Sequence, residues 1–424
     1  MPYVLTGRYV SGCEIQPQLF VSRALLPRFI RTTKCTGDQP ESVIFTPNMK
    51  YLRWLLLPFS LIYGLVVIMR NWFYDAGLFK SHRFNKPVIS IGNLEVGGAG
   101  KSPMTEYLIR LLKPDYKLAT LSRGYGRETK GYLVAESQES GRKSQEESYS
   151  PLTAHRSLLA TQIGDEPAQF KHKFPDITIA VCEDRVTGIN NLLSDHDLIL
   201  MDDAYQHRAV EPGLSILLFD YNRINEPHFL LPAGNMREPM NGRWRAQVII
   251  VSKCPATLSL EEKTAITYKV EPLPYQQLFF TSIAYQPIET MTGKLAQAQI
   301  DSDTTVFLLT GIANAQPLLK YLNGFTSHIL HHNYPDHHPF TPKNISKLAA
   351  EYAVHPSQKK LIVTTEKDAQ RLEESWLNAG EPNAGLLPVF VIPIRVEFLD
   401  DSGSQFDKIV IDYVREHTAN HRIH

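Results

Sequence analysis

The run VISIGNLEVGGAGKSP, residues 88–103, has the make-up of a phosphate-binding turn. An apolar strand leads into Gly97, Gly98, Ala99 and Gly100, and Lys101-Ser102 and an apolar helical stretch follow. Glycines let successive backbone N–H groups converge on phosphate oxygens, and a helix N-terminus adds its positive dipole. Lys101 would reach the β/γ-phosphates of a nucleotide such as ATP, and the Ser102 hydroxyl would ligate Mg²⁺. The strict spacing GxxxxGK[ST] requires glycine at position 95, where this chain has Glu95. The bland alternative is a glycine-rich strand-to-helix turn without nucleotide. A phosphate loop needs a carboxylate on a neighbouring strand for its metal. LILMDDAYQH, residues 198–207, supplies Asp202-Asp203 at a strand end, the alternative being a helix-capping pair. His207 either touches that site or ends the turn.

Other residues could serve the same chemistry. Asp165, in GDEP, is a carboxylate able to accept a hydroxyl proton, and equally a good helix N-cap before Pro167. HILHHNYPDHHPF holds five histidines between His328 and His338. Asp336-His337-His338 lacks the helical i, i+4 spacing of zinc ligands, so a solvated loop or a catalytic contribution is preferred to a metal site. Arg185 in CEDRVTG, Arg237-Glu238 in GNMREP, and Arg123 and Tyr125 in SRGYG could hold charged ligand oxygens or form ordinary ion pairs. IIVSKCP, residues 249–255, departs from the guanine-reading [NT]KxD pattern at Ser252 and Pro255. TTEKD, residues 364–368, could line a base pocket or begin a capped helix.

The elements that must position these residues alternate. Val88–Ile91, Leu118–Leu121, Ile177–Val181, Leu198–Met201, Leu214–Phe219 and Val248–Val251 read as buried parallel strands, with helices such as Ser102–Leu112 and Glu166–Lys173 between them. This predicts an α/β fold: a doubly wound parallel sheet of the phosphate-loop NTPase kind over residues 87–255. A second, smaller α/β lobe is expected over 256–415, with strands Leu278–Ile283, Val306–Leu309, Leu361–Thr364 and Val389–Ile394, helices Gln316–Leu322 and Lys343–Tyr352, and a tail at 416–424. The polar stretch Glu136–Ser150 reads as a solvated insertion.

The 424 residues carry 44 Lys plus Arg against 44 Asp plus Glu, so no basic excess favours nucleic acid. Four scattered cysteines without a CxxC fit neither a disulfide framework nor a zinc module. Residues 1–48 read as a disordered extension or a mis-assigned start. Within 49–86, no residue from Trp54 to Met69 is charged, which is short for a spanning helix. An interfacial membrane helix, a short anchor and a core helix compete for that segment, the interfacial helix being preferred.

GNLEVGGAGKSP, SRGYGR (122–127), GDEP (164–167), DDAYQH (202–207) and LPAGNMREP (231–239), in this order behind an apolar segment, resemble the tetraacyldisaccharide 4′-kinases of lipid A biosynthesis. The resemblance runs from about Met49 to the C-terminal region. Family members more often carry Gly-Leu or Gly-Phe where this chain has Ala204-Tyr205. It implies transfer of the ATP γ-phosphate to the 4′-hydroxyl of a tetraacylated glucosamine disaccharide 1-phosphate, forming lipid IVA at the cytoplasmic face of the inner membrane. It further implies Asp165 as base, paired with His337 (less surely His338) across the cleft after lobe closure, and Mg²⁺ held by Ser102, Asp202 and Asp203. Gly97 to Ser102, Arg237 and Glu238 would bind ATP, and Arg123, Arg185 and His207 the lipid. A monomer is expected. The rival readings are a phosphate-loop metallochaperone GTPase and a membrane-attached ATP-binding regulator without catalysis.

Overall fold

A computed structural model describes residues 48–135, 154–291, 298–372 and 387–420. The expected extension up to residue 47 and the insertion at 136–150 lie outside the described residues. The chain begins with α1 (Asn48–Asp75), β1 (Val88–Asn93), α2 (Lys101–Leu112), β2 (Leu118–Ser122), β3 (Leu133–Val134), α3 (Ala154–Ile163) and α4 (Asp165–Lys173). There follow β4 (Thr178–Val181), α5 (Arg185–Leu192), β5 (Leu198–Asp202), β6 (Leu214–Asp220), β7 (Val248–Ser252), α6 (Leu260–Val270) and β8 (Gln277–Tyr285). The second sheet takes β9 (Glu289–Thr290), β10 (Thr305–Thr310), α7 (Gln316–Leu322), β11 (Ile329–Asn333), α8 (Pro342–Val354), β12 (Lys360–Thr365), α9 (Glu366–Ala369) and β13 (Val389–Ile392). β14 (Ile394–Phe398) and α10 (Gly403–Asn420) return to the first sheet.

The first sheet has nine strands in the order β14-β8-β7-β6-β1-β5-β2-β4-β3. Its inner pairs are parallel, and β14 and β3 pair antiparallel at the edges. β1, β2, β5, β6 and β7 are buried along their whole length. That is what continuous Val/Ile/Leu runs covered by helices on both faces produce. The second sheet runs β11-β10-β12-β13-β9, with only the β13–β9 pair antiparallel.

Several boundaries differ from those read in the sequence. Leu278–Ile283 belongs to β8, a parallel neighbour of β7 in the first sheet rather than part of the second. The run Val389–Ile394 is split by Pro393, which has no N–H to give a ladder, and β13 and β14 go to different sheets. The chain therefore crosses between lobes twice, at 286–288 and at Pro393, and the Gln286 N–H donates to the Pro393 carbonyl at 2.8 Å. Residues 416–420 are not tail but the last turns of α10. Phe406, Val410 and Val414 of α10 are buried in the same core cluster as Ile89, Ile216 and Ile250. The histidine run is a strand in its first half: β11 contains His331 and His332, and His332 Nε2 lies 3.2 Å from Glu351 Oε2.

α1 is longer than its uncharged run, and among the described residues only Trp54–Asp75 is long and apolar enough to cross a membrane by length and composition. It is not a core helix. Trp54, Leu61, Leu65 and Ile68 face outward, whereas Ser60, Gly64 and Val67 form the buried stripe. Ser60 Oγ donates to the Leu230 carbonyl at 3.0 Å, and Tyr63 Oη donates to the Arg237 carbonyl at 2.8 Å.

Phe406, fully buried, packs against Phe398, Phe279 and Tyr107 with ring centroids 4.7, 5.6 and 5.9 Å away. Phe406→Ala should cost about 3–5 kcal/mol of stability, read by denaturant unfolding of the full chain. A loss under about 1 kcal/mol would show that α10 does not contribute to the core of the first lobe.

Candidate functional site

β1 sits at the centre of the first sheet and delivers the glycine-rich loop at its carboxyl end. Gly97 (φ 108°) and Gly100 (φ 79°) occupy the left-handed region, and Gly100 is the N-cap of α2 without a capping side chain. An L-residue would be strained at both positions. Lys101, nearly buried, turns its ammonium back onto the loop. It lies 3.2 Å from Asn93 Oδ1, 3.5 Å from the Gly97 carbonyl and 3.5 Å from Asp203 Oδ1. The loop's carbonyls are also tied from outside: Ser252 Oγ donates to Ala99 O at 2.7 Å, Arg223 Nη1 to Val96 O at 2.6 Å, and Lys253 Nζ to Gly98 O. Ser252, one of the departures from the guanine pattern, and Lys253 thus brace the phosphate loop.

β5, beside β1, ends in Asp202. The acid pair caps no described helix: Asp203 has φ 48° and begins a turn. Thr105 Oγ1 donates to Asp202 Oδ1 at 3.0 Å, and Arg237 Nη1 to Asp203 Oδ1 at 2.8 Å. Burial, then the charges of Glu166 and Asp203, push the Asp202 pKa up to about 7 against the pull of Lys101. Burial acts on Asp203 too, but Lys101 and Arg237 outweigh it and lower its pKa. Ser102, Asp202 and Asp203 could offer a cation oxygen donors alone. Among the described residues no group of three or more His, Cys, Asp or Glu forms a metal cage. That suits a cation such as Mg²⁺, which keeps waters and takes substrate phosphates as ligands.

Arg237 and its neighbour part company. Glu238 is completely buried: its oxygens accept from Gln206 Nε2 (3.1 Å), Arg245 Nη2 (2.8 Å) and Asn71 Nδ2 (3.1 Å). It therefore offers no exposed oxygen to a nucleotide in this structure and instead fixes the loop that carries Arg237. Gln206, not singled out from the sequence, also donates to the Asn93 carbonyl at 2.7 Å.

Asp165 is the first residue of α4, and Gly164 (φ 96°) takes the N-cap position, so the carboxylate is not used as a cap. Asp165 Oδ2 lies 3.1 Å from His337 Nδ1 and 3.5 Å from Arg371 Nε. The two lobes thus already meet here, with no further closure needed for this contact. His337 has φ 58°, and its N–H donates to the Gly311 carbonyl at 3.1 Å. Lys367 Nζ sits 3.0 Å from His337 Nε2. An ammonium can only donate, which makes Nε2 the acceptor and gives Nδ1 the hydrogen directed at Asp165. His338 is turned away, stacked on Tyr334 at 4.5 Å and 3.2 Å from Asn344 Oδ1. TTEKD is a capped helix start: Thr365 Oγ1 accepts from the Asp368 N–H at 3.1 Å. Its Lys367 faces the dyad, and Asp368 Oδ1 receives Arg371 at 2.7 Å and the Gly311 N–H at 3.1 Å.

Arg123, Arg185 and His207 come together electrostatically. Arg185, buried, donates through Nη1 to the Cys182 carbonyl at 2.9 Å; its Nε has no hydrogen-bond partner among the described residues. Burial lowers its pKa to about 10, so it stays charged at neutral pH. Burial, and then Arg185, lower that of His207 to about 4, leaving a neutral imidazole 3.9 Å from Asp184 Oδ1.

The family model described as tetraacyldisaccharide-1-P 4′-kinase matches residues 52–414. The tetraacyldisaccharide 4′-kinase of Phocaeicola vulgatus is 41% identical over 383 residues, covering 88% of this chain and 98% of the relative. That of Bacteroides thetaiotaomicron is 42% identical over 388 residues, covering 88% and 96%. The crystal structure of LpxK from Aquifex aeolicus in complex with ATP superposes with a TM-score of 0.63 at 26% identity, covering 86% of this chain and 99% of that one. The chain thus shares the fold of that structure, and it belongs to the tetraacyldisaccharide-1-phosphate 4′-kinase family.

Proposed function

We propose that the chain carries out its family's reaction, adding the ATP γ-phosphate to the 4′-hydroxyl of a tetraacylated glucosamine disaccharide 1-phosphate, with Asp165 as base and His337 as its partner. The observation that carries the assignment is the 3.1 Å contact between Asp165 Oδ2 and His337 Nδ1, made between the two lobes. In the transfer, the sugar O4′–P bond forms as the bond from Pγ to the β,γ-bridging oxygen breaks, and ADP leaves. Asp165 receives the hydroxyl proton late, as negative charge develops on the oxygen. His337 donates Nδ1–H to that carboxylate and orients it. Lys101 offsets charge on the β- and γ-phosphates, and the loop N–H groups fix their place. Mg²⁺ on Ser102, Asp202 and Asp203 would supply further neutralisation of phosphate charge. Arg237 lies on the ATP side, where it already meets Asp203. Arg123, Arg185 and neutral His207 suit the anionic headgroup of the lipid.

The outward face of α1 supports seating on the inner-membrane surface, because its exposed positions are apolar or aromatic while the protein-facing stripe holds Ser60, Tyr63 and Asn71. Leu61→Glu with Leu65→Glu should leave the helical circular-dichroism signal unchanged and abolish co-sedimentation with anionic phospholipid vesicles. Undiminished vesicle binding would refute this placement.

With γ-labelled ATP, Mg²⁺ and detergent-dispersed substrate, protein starting at Met49 should label the lipid. Lys101→Ala should lose both transfer and ATP binding, whereas Asp165→Ala should lose transfer and keep ATP binding. Should Asp165→Ala retain more than about a tenth of the rate, less than ~1.4 kcal/mol of barrier depends on it and it is not the base.

Asp202 supplies a pH dependence. Its raised pKa of about 7 means that the neutral acid predominates below that value and the carboxylate above it. The half-saturating Mg²⁺ concentration should therefore rise as pH falls through about 7. A requirement that stays flat from about pH 6 to pH 8 would remove Asp202 from the metal set.

A further inference from the structure

We propose that Lys173 is a positioning residue for the transfer: held between Glu106 and Glu366 where the lobes meet, it ties the helix that carries Lys367 to the helix that carries Asp165, against the braced α2. The inference rests on the reading of Asp165 and His337 given above.

The three residues come from three elements, each of which also bears a residue of the site. α2 opens with Lys101 and carries Glu106 one turn further on. α4 opens with Asp165 and closes with Lys173. α9 opens with Glu366, immediately before the Lys367 that meets His337. Lys173 Nζ lies 2.5 Å from Glu106 Oε2 and 2.5 Å from Glu366 Oε1. Side-chain exposures of 2% for Glu106, 10% for Glu366 and 17% for Lys173 place the cluster out of solvent. Glu106 is held further by Gln169 Nε2 at 2.8 Å and Arg110 Nη2 at 3.0 Å. The second oxygen of Glu366 accepts from the N–H of Ile394 at 3.1 Å, the residue directly after Pro393. The cluster therefore binds two helices of the first lobe, one of the second, and the start of β14 just after the crossing at Pro393.

Charge makes this arrangement stiff. Glu106 keeps Arg110 as a second cation, but among the described residues Glu366 has an ion pair with Lys173 alone, and removing a buried partner leaves an uncompensated charge. Without Lys173 the ionic link from α9 to α2 and α4 is lost and Glu366 is left buried without its cation, so α9 moves away from α2 and α4. The reacting groups are not touched directly: Lys173 lies eight positions along α4 from Asp165, about 12 Å at the helical rise. The effect on chemistry must pass through helix placement, and a misplacement of about 1 Å is enough to cost ~10²-fold in rate. The phosphate loop is braced separately by Ser252, Arg223 and Lys253, so ATP binding is spared.

The test is a mutant cycle in the full chain, with kcat for lipid labelling and Kd for ATP measured side by side. Lys173→Met should lower kcat at least about tenfold in the otherwise native protein and by less than about threefold in a His337→Ala background, with the ATP Kd within about twofold throughout. Lys173→Arg, which can bridge both carboxylates, should recover much of the lost rate. Equal losses in the two backgrounds, or ATP affinity falling in step with kcat, would overturn the proposal and leave a plain structural ion pair. Glu366→Gln, which keeps the side chain's shape, gives a second path to the same cycle if Lys173→Met does not fold, with the same pattern expected and the same outcomes against it. Failure of the dyad reading shows separately, as wild-type kcat in His337→Ala alone.

Discussion

An acid pair at the end of a central strand cannot be enclosed unless cations are enclosed with it, and much of the site is the working out of that requirement. Asp202 is almost wholly buried, and Asp203 takes Lys101 on one side and Arg237 on the other. Arg237 must then be held, and its loop is fixed through Glu238, whose charge is met by Arg245 and by hydrogen bonds from Gln206 and Asn71. Asn71 lies on α1. A continuous chain of polar contacts thus runs from the phosphate loop to the exposed apolar helix, and each link exists because the one before it left a charge or a donor to be met.

The relation between the lobes follows from where the backbone crosses. Both crossings contain proline, at Pro287 and Pro393, and the Gln286 N–H to Pro393 carbonyl bond ties them together. Two tied crossings leave the second sheet a restricted path over the first. The Asp165–His337 contact lies where helix α4 of one lobe meets the 336–338 turn of the other. His337 keeps its left-handed backbone because the Gly311 carbonyl accepts its N–H, and Gly311 is in turn held by Asp368. Strain of this kind persists only where surrounding contacts over-determine it.

How far the sequence could be read depended on the range of the interaction. The phosphate loop, the strand before it and the Asp202-Asp203 strand end were legible because each is a local pattern of apolar run, glycine and acid. The pairing of Asp165 with His337 came through family resemblance, since no spacing links residues so far apart in the chain. Arg371, Gln206 and Asn93 left no local signal: each matters through partners that only the fold brings near. The lobe boundary was misread for a related reason. Leu278–Ile283 looks the same whether it joins one sheet or the other, and sheet membership is decided by long-range pairing. Pro393 inside Val389–Ile394 was the available clue, because a donor missing from a strand interior argues that the ladder changes there. TTEKD offers a base pocket or a capped helix start, and the structure has the cap, made by Thr365 and Asp368, with Lys367 turned toward His337.

The composition of α1 is inverted relative to a helix that packs on a soluble core. Such a helix turns its apolar stripe inward, yet here the inward stripe carries Ser60, Tyr63, Gly64 and Asn71, and the outward face carries Trp54, Leu61, Leu65 and Trp72. Exposing that much contiguous apolar surface to water is unfavourable for a monomer, and a patch of this kind marks a surface made to be covered. The polar inward stripe has a second consequence. Hydrogen bonds depend on direction, so Tyr63 to the Arg237 carbonyl and Asn71 to Glu238 fix the helix's rotation as well as its position. A helix held only by apolar contacts could roll or slide by a residue at little cost. This one cannot do so without stranding donors beside a buried carboxylate. On the membrane reading, the orientation of the phosphate loop to the lipid surface is therefore set by the same residues that hold Arg237 against Asp203. An acyl-anchored sugar would then meet the transfer site at a fixed depth.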